Sequence, residues 1–483
     1  MAKSMAKNAV FNVAYKALSV IFPLITISYA SRILGPSGIG IVNSAQNLVT
    51  YFVIFASLGI PAYGVRAIAQ SKSKPLLCNK VFTELFVINL VSTLICSVAY
   101  FVFVFLFYEY RSVLQLHILF GTLVLFNIFN LDWLYQAYEE YKYIAIRSFI
   151  IKLLSLILLV IIVRKPSDLF SYSIIVCFGT VGNYVFNMVK LKNYVKFDFK
   201  NINVYKHLKP IFVFFASVIA IELYSLVDVT MLTHMTTSSH VGYYANASKI
   251  VRCIAGTITA IGAVLMPRLS LYFSEKRNSE FKIAVSKTFK IILILTVPSC
   301  LGIILTAKKI VPIMFGEEFL PAINTLCVLS PLVIFIPLSG GVGAQILQTT
   351  NNEKLCFVSV CSGAIVNIIL NAIFIPIIQQ NGAAAASVIT EGVVTIMMLV
   401  FSKKIVKIDM NVRYVVSILL ASFLMFVSVV LCDILLNNLP MLFSLVLEVG
   451  IGIIVYFLIL FITKNDVIKE IFNMFINKFK KNI

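Results

Sequence analysis

Residues 168–234 hold two apolar runs with a basic gap between them: DLFSYSIIVCFGTVGNYVFNMV (168–189), KLKNYVKFDFKNINVYKHLK (190–209) and PIFVFFASVIAIELYSLVDVTMLTH (210–234). An apolar run of about 20 residues is long enough to cross the ~30 Å hydrocarbon core of a bilayer. The gap holds six lysines. This pattern predicts two membrane-spanning helices joined by a loop on the cytoplasmic side.

The same alternation continues along the chain of 483 residues, of which 60% are hydrophobic and 12% charged. A soluble domain is closer to half apolar and a quarter charged. Fourteen apolar runs can be counted, at 9–33, 40–64, 82–107, 112–137, 144–163, 168–189, 210–234, 241–266, 289–306, 319–349, 355–377, 382–401, 414–433 and 441–463. Run 319–349 contains Pro331, Pro337 and Gly340-Gly341, so we expect it to bend. The sequence therefore predicts an all-α integral membrane protein with 12–14 transmembrane helices.

The distribution of Lys and Arg predicts the orientation of these helices. With the N-terminus inside, the inside segments hold 30 of the 40 Lys and Arg residues and the outside segments hold six. Both termini are therefore expected in the cytoplasm, and the net charge of +20 needs no nucleic-acid partner to explain it. Residues 464–483 combine apolar residues at helical spacing with lysines, which fits either an amphipathic helix on the inner membrane surface or a frayed basic tail.

A weak internal repeat predicts two similar halves. Sliding residues 37–66 onto 239–268 pairs Ser37 with Ser239, Gly40 with Gly242, Ala45 with Ala247, Val49 with Val251 and Arg66 with Arg268. Six spans separate the two segments, so both halves have the same orientation, as in transporters built from parallel repeats. We therefore expect two six-helix bundles related by a pseudo-two-fold axis, with these divisions: a bundle at 1–200, a bundle at 201–408, two additional helices at 409–463 and the tail at 464–483.

Four cations lie inside apolar runs and away from the run ends, at Lys16, Lys152, Lys249 and Arg252. A charge at that depth costs roughly 2.5–3.5 kcal/mol even on the lenient insertion scale, and it is tolerated where it faces a wet cavity or a partner. Polar residues at helical spacing accompany these cations and predict a cavity. They are Asn12 in run one, Asn43, Asn47 and Thr50 in run two, and Asn246 in run eight. An anion such as phosphate suits these cations, because Arg offers paired donors and Lys a compact charge.

Run 210–234 contains two carboxylates, Glu222 and Asp228. Acids within spans are candidates for proton or sodium coupling, and they are equally suited to pair with Lys249 or Arg252. Asp132, Glu391 and Glu448 also lie within spans and are weaker coupling candidates. Asp132-Trp133, near the inner end of run four, also fits an interfacial anchor. We find no Walker P-loop, no nucleophile elbow and no metal-ligand spacing among the four His residues. We therefore expect no enzyme activity, no catalytic residue, no cofactor and no metal.

Several stretches carry a family pattern: Pro23-Leu-Ile-Thr26, ASRILGPSGIG (30–40), ASLGI (56–60), YGVRAIA (63–69), VDVTML (227–232) and VGYYANASKI (241–250). Together they resemble the Wzx-type polysaccharide flippases of the multidrug/oligosaccharidyl-lipid/polysaccharide exporter superfamily. The resemblance implies a two-lobed transporter in the bacterial inner membrane. It also implies movement of undecaprenyl-diphosphate-linked repeat units of O-antigen or capsule to the outer leaflet.

The resemblance also implies a cationic central cavity. Lys16, Lys249 and Arg252 fall where it would bind the diphosphate, and the polar residues of runs one, two and eight would line it. In the related lipid II flippases the last two helices form a groove for the lipid tail, which runs 414–433 and 441–463 are expected to supply here. Membrane lipids, a polysaccharide polymerase and a chain-length regulator are the partners to expect.

Three alternative functions remain open. A lipid II flippase would use similar basic residues. A drug or cation antiporter of the same superfamily would need an acidic and aromatic site, whereas the best-placed charges here are basic. A membrane glycosyltransferase or polymerase would need a sizeable outside loop with paired carboxylates, and the outside loops of this chain are short.

Overall fold

The computed structural model describes residues 2–436, 438–465 and 467–469. Side chains are described from Phe22 onward, except at 108–109, 217–218, 220–221, 223–225, 261, 263–265 and 267. The side chains of Asn12 and Lys16 lie outside the described residues, as does most of the predicted tail at 464–483.

The described backbone consists of helices with short connections, and it contains no β-strand. The α-helices are α1 (Ala2–Ser57), α2 (Ile60–Ser71), α3 (Pro75–Leu106), α4 (Leu114–Leu125), α5 (Asp132–Ala137), α6 (Tyr141–Ile162), α7 (Leu169–Asn187), α8 (Tyr205–Met235), α9 (Ser238–Ser274), α10 (Asn278–Phe315), α11 (Ala322–Leu329), α12 (Leu332–Leu338), α13 (Ala344–Thr349), α14 (Glu353–Lys403), α15 (Val412–Leu435) and α16 (Met441–Ile462). Short 3₁₀ helices cover Tyr108–Val113, Phe126–Phe129, Pro166–Asp168, Leu191–Asn193 and Glu317–Phe319. Ten stretches of the described residues are long and apolar enough to cross a membrane. The predicted all-α membrane fold is confirmed.

Two of these helices are kinked, and each contains two of the predicted runs. In α1 the kink lies at Gly35, whose φ of 66° is a left-handed value that glycine adopts without strain, and Pro36 follows it. In α14 the kink lies at Ile378 and Gln379, where Gln379 has a φ of 51°. Once the two helices are divided at their kinks, each of the fourteen predicted runs falls on helical backbone.

The second and fourth runs are less continuous than the hydropathy pattern predicts. Run 40–64 is broken at Leu58 and Gly59, which have φ values of 47° and 73°, before α2 begins. A Cβ at Gly59 would lie 2.6 Å from the backbone nitrogen of Phe215, so this break also lets α8 approach closely. Run 112–137 comprises α4, a 3₁₀ turn and α5.

The bend predicted in run 319–349 is confirmed. This run consists of α11, α12, a five-residue π-helix at Ser339–Gly343 and α13. Such irregular backbone leaves polar groups that need partners inside a membrane. The hydroxyl of Thr395 donates to the carbonyl oxygen of Phe335 at 3.1 Å, and the hydroxyl of Ser339 donates to the buried carboxylate of Glu391 at 2.6 Å. Side chains of α14 thus stabilise the irregular segment.

The chain divides into two compact units, Met1–Gly242 and Tyr243–Ile483. In unit 1, α1 packs against α3, α4, α6 and α8, and α2 packs against α3, α5 and α8. The fully buried side chains of Ile68, Phe82 and Leu134 belong to its apolar core. In unit 2, α10 packs against α11, α12, α15 and α16, and α14 packs against α11, α12 and α13.

Two glycines bring α1 and the first turn of α9 into backbone contact. A Cβ on Gly40 would lie 1.7 Å from the carbonyl oxygen of Ser238, and a Cβ on Gly242 would lie 2.1 Å from the carbonyl oxygen of Pro36. Helix backbones approach this closely only where a side chain is absent. The offset that slides 37–66 onto 239–268 also pairs Pro36 with Ser238 and Gly40 with Gly242. The contact is therefore reciprocal, which supports the predicted repeat.

We expect Gly40→Ala and Gly242→Ala each to destabilise the protein by about 1–3 kcal/mol or more, because the added methyl group overlaps backbone atoms that cannot rotate away. The measurement is thermal unfolding of the purified protein in detergent. Gly450→Ala is the control, since a Cβ there meets no heavy atom within 4 Å. Unchanged unfolding temperatures for both contact variants would contradict the close approach.

Candidate functional site

Helix α9 carries the predicted row of polar and cationic side chains. Asn246, Lys249 and Arg252 follow one another at intervals of three residues, so they lie along one side of the helix. Asn246 is fully buried, and Lys249 and Arg252 are half-buried. Lys249 lies about 16 Å along the axis from the start of α9, at 1.5 Å per residue, which places it inside the predicted apolar run 241–266. The Nε of Arg252 donates to the hydroxyl of Ser248 at 3.1 Å.

The structure separates the polar residues predicted on α1. The amide of Asn43 donates to the carbonyl oxygen of Ile39 at 2.7 Å. The hydroxyl of Thr50 donates to the carbonyl oxygen of Gln46 at 2.6 Å. Both side chains thus bond to their own helix. Asn47, by contrast, is buried, and its amide donates to the hydroxyl of Thr230 on α8 at 2.7 Å. The Asn47 bond joins α1 to α8.

Asn47 lines a cavity of ≈ 290 Å³ within unit 1. Helices α1 and α8 supply most of its walls, and polar side chains of the two helices bond across it. The hydroxyls of Ser44 and Thr233 lie 2.8 Å apart, and those of Tyr51 and Thr230 lie 2.9 Å apart. Reasoning from the sequence missed these four residues, although Thr230 and Thr233 stand one helical turn apart on α8.

One end of this cavity is formed by the 3₁₀ segment Tyr108–Val113 and the start of α4. The ring of Tyr110 meets the ring of His117 edge-on, with centroids 4.9 Å apart, and the ring of His234 at 6.4 Å. Because Tyr110 lies on the connection between α3 and α4, His117 on α4 and His234 on α8, only tertiary packing brings the three residues together.

The two carboxylates predicted as coupling candidates differ in environment. Asp228 is 2% exposed, whereas Glu222 is exposed. Both lie on α8, six residues apart, which places them on different sides of the helix. Asp228 is therefore the member of the pair that the protein shields from its surroundings.

Two other acids within spans hold cations. Asp132 accepts a hydrogen bond from the buried Arg147 at 2.7 Å and another from Asn187 at 3.0 Å. In unit 2, the ammonium of Lys309 on α10 contacts Glu448 on α16 and also Asp433 on α15. These pairs join neighbouring helices, so Asp132 and Glu448 act as structural partners of basic residues.

Unit 2 contains an apolar groove of ≈ 390 Å³ between α10, α15 and α16. Pro298 and Gly302 on α10 face it, together with Val429 on α15 and Gly452 and Tyr456 on α16. The tyrosine hydroxyl does not add polarity to the groove, because it donates to the carbonyl oxygen of Ile294 at 2.7 Å. The two last helices thus build an apolar groove against α10.

A protein-family model described as "Polysaccharide biosynthesis protein" matches residues 5–273 of the chain. The chain is 24% identical to the "Putative O-antigen transporter" of Escherichia coli (strain K12) over 404 residues, which cover 82% of this chain and 96% of that protein. It is 26% identical to the "Putative O-antigen transporter" of Shigella dysenteriae over 384 residues, 78% of this chain and 94% of that one. A solved structure, "Lipid II flippase MurJ, inward closed conformation", matches with a TM-score of 0.78 at 18% identity, covering 95% of this chain and 100% of that chain. At this identity the structural match shows a shared fold.

We expect Arg147→Met to destabilise the protein by about 3–5 kcal/mol, because it leaves the Asp132 carboxylate without its cation inside the helix bundle. Thermal unfolding in detergent measures the loss. The double variant Arg147→Met/Asp132→Asn should recover part of it. Lys72→Met, which removes an exposed pair with Glu139, should change stability by less than about 1 kcal/mol. A small effect of Arg147→Met would contradict the structural role of the pair.

Proposed function

The chain belongs to the polysaccharide biosynthesis protein family, whose model covers more than half of it, and we propose that it is a lipid-linked oligosaccharide flippase. Its cargo is an undecaprenyl-diphosphate-linked polysaccharide repeat unit for O-antigen or capsule. The cargo moves from the cytoplasmic to the outer leaflet by alternating access. The proposal rests above all on one observation, the side of α9 that carries Asn246, Lys249 and Arg252 within the predicted apolar run 241–266.

The diphosphate is the part of the cargo that needs these cations. Moving an anion through hydrocarbon without a counter-charge is prohibitive, whereas a guanidinium and an ammonium offer several charge-assisted donors to phosphate oxygens. Lys249 and Arg252 supply both groups on one side of α9. Lys16 is the third predicted member of this set. The site is basic, which favours a lipid diphosphate over the cationic cargo of a drug antiporter.

The sugars and the lipid tail need different surroundings. Sugars are bound by neutral polar groups, for which Asn12, Asn43, Asn47 and Thr50 are the predicted residues. The prenyl tail needs an apolar path, and the groove between α10, α15 and α16 offers one. A cargo with one charged, one polar and one apolar part matches this division of surfaces.

The remaining features follow from the same proposal. The protein is a multi-pass protein of the bacterial inner membrane with both termini in the cytoplasm. Its organisation is a bundle at 1–200, a bundle at 201–408 and two additional helices at 409–463. Asp228 or Glu222 couples transport to a proton or sodium gradient. The polysaccharide polymerase that receives the flipped unit and a chain-length regulator are its expected partners.

We expect Lys249→Met and Arg252→Met each to abolish most transport, because each removes charge-assisted hydrogen bonds worth about 1.5–3 kcal/mol to a phosphate group. Transport is measured as surface polysaccharide restored to a strain that lacks its own flippase, and as translocation in reconstituted vesicles. Lys249→Arg should retain part of the activity. Lys403→Met, at the exposed end of α14, is the matched control and should transport normally.

Intact transport in the double variant Lys249→Met/Arg252→Met would contradict the proposed diphosphate site. Rescue of a strain depleted of its lipid II flippase, without any restored surface polysaccharide, would favour the lipid II alternative instead.

For the coupling residue, we expect Asp228→Asn to remove the stimulation of transport by an imposed ion gradient, since a carboxylate shielded from bulk water can bind and release an ion as the site opens to either side. Glu222→Gln should keep the stimulation, because Glu222 is exposed. Vesicles with an imposed proton or sodium gradient provide the measurement. Equal stimulation in both variants would exclude Asp228 as the coupling group.

A further inference from the structure

The cavity of unit 1 differs in chemistry from the cationic side of α9. The described residues that line it include no Asp, Glu, Lys or Arg. Most of them carry a hydroxyl, an amide, an imidazole or a phenol ring. A diphosphate would find no cation there. A neutral ligand with many hydroxyl groups would find donors and acceptors on several sides.

The hydroxyls in the cavity are held in fixed positions. Thr230 accepts a hydrogen bond from Asn47 at 2.7 Å, lies 2.9 Å from the hydroxyl of Tyr51 and bonds to the carbonyl oxygen of Leu226 at 3.1 Å. The hydroxyl of Thr233 likewise donates to the carbonyl oxygen of Val229, which lies on the same helix. Thr230 thereby uses its donor and both acceptor sites, so it acts by orienting the Asn47 amide and the Tyr51 hydroxyl, and a site in which polar groups are already oriented discriminates strongly between ligands that can and cannot hydrogen-bond to it.

Tyr110 adds an aromatic surface to this set. It stands on the short segment between α3 and α4 and is half-buried, with the rings of His117 and His234 against it. A phenol ring offers an apolar face together with a polar tip, which suits a sugar ring with its C–H face and its hydroxyl rim. The volume of ≈ 290 Å³ lies at the lower end of small-molecule pockets, about the room of a single sugar ring.

We propose that the cavity formed by Ser44, Asn47, Tyr51, Thr230, Thr233 and Tyr110 is a glycan subsite that binds one neutral sugar ring of the cargo. The subsite deepens the proposed flippase function and rests on it. It makes the unit 1 cavity a determinant of which repeat unit is accepted, while the cationic residues recognise the diphosphate common to all such cargoes.

The test compares two ligands on the full-length protein in nanodiscs. The first is the lipid-linked glycan extracted from the membranes of the source cells, and the second is bare undecaprenyl diphosphate. The ratio of their dissociation constants reports the sugar alone. We expect wild type to bind the glycan-bearing lipid more tightly. The variant Tyr51→Phe/Thr230→Val should lower this preference about tenfold, because it removes two oriented hydroxyls, while leaving the affinity for bare undecaprenyl diphosphate unchanged.

The matched control is Tyr138→Phe/Thr180→Val, which also removes one tyrosine and one threonine hydroxyl from unit 1, but at positions that do not line the cavity. It should keep the wild-type preference. If the first cavity variant unfolds at a lower temperature than the control, Tyr110→Leu, on a connecting segment, provides a second cavity variant. It too should lower the preference for the glycan-bearing lipid.

The outcomes separate the two proposals. If wild type prefers the glycan-bearing lipid and both cavity variants keep that preference, the subsite is refuted and the flippase proposal stands. If wild type binds both ligands equally, no sugar is recognised and the subsite is again refuted. If wild type binds neither ligand, the proposed function itself fails. The charge-removing variant Lys249→Met should weaken the binding of both ligands equally, because both carry the diphosphate. This result distinguishes recognition of the diphosphate from recognition of the sugar.

Discussion

The absence of water in the hydrocarbon core is the constraint on which this structure depends. Because no solvent can satisfy a backbone amide there, the described chain is helical throughout its spans, and its interruptions are repaired locally. The π-helix at Ser339–Gly343 is accompanied by bonds from Ser339 to Glu391 and from Thr395 to a helix carbonyl. The same constraint acts on charge, so the buried Arg147 is paired with the half-buried Asp132. Irregularity and charge occur where a neighbouring helix supplies the partner.

Because of this constraint, the basic residues of the chain differ in where they lie and in what they contact. Most lie in the gaps that the sequence predicts to be cytoplasmic. Arg147 and Lys309 join helices through acidic partners. Lys249 and Arg252 belong to a row of polar residues on a single helix, and in the proposed function they bind the anionic part of the cargo. Counting cations in the sequence cannot make this distinction, since it does not reveal that Lys309 is held between α10, α15 and α16.

Hydropathy and helix-breaking residues predicted the helices and the bend near Pro337, because apolar length is a local property of the sequence. The break at Leu58 and Gly59 could not be predicted, since it depends on the approach of α8 at Phe215. The site was predicted in part. Asn47 was identified by its spacing, but its partner Thr230 lies 183 residues away. The cavity role of Asn43 stays a prediction; its amide also donates to the carbonyl oxygen of Ile39, since short polar side chains can bond to their own helix.

The glycine contact between α1 and the start of α9 constrains two distant positions at once. The two sides of the contact correspond to each other, as the two sides of an interface in a two-fold symmetric dimer do. Selection would act on Gly40 and Gly242 as one unit, because neither glycine can be replaced without displacing the backbone of the other segment.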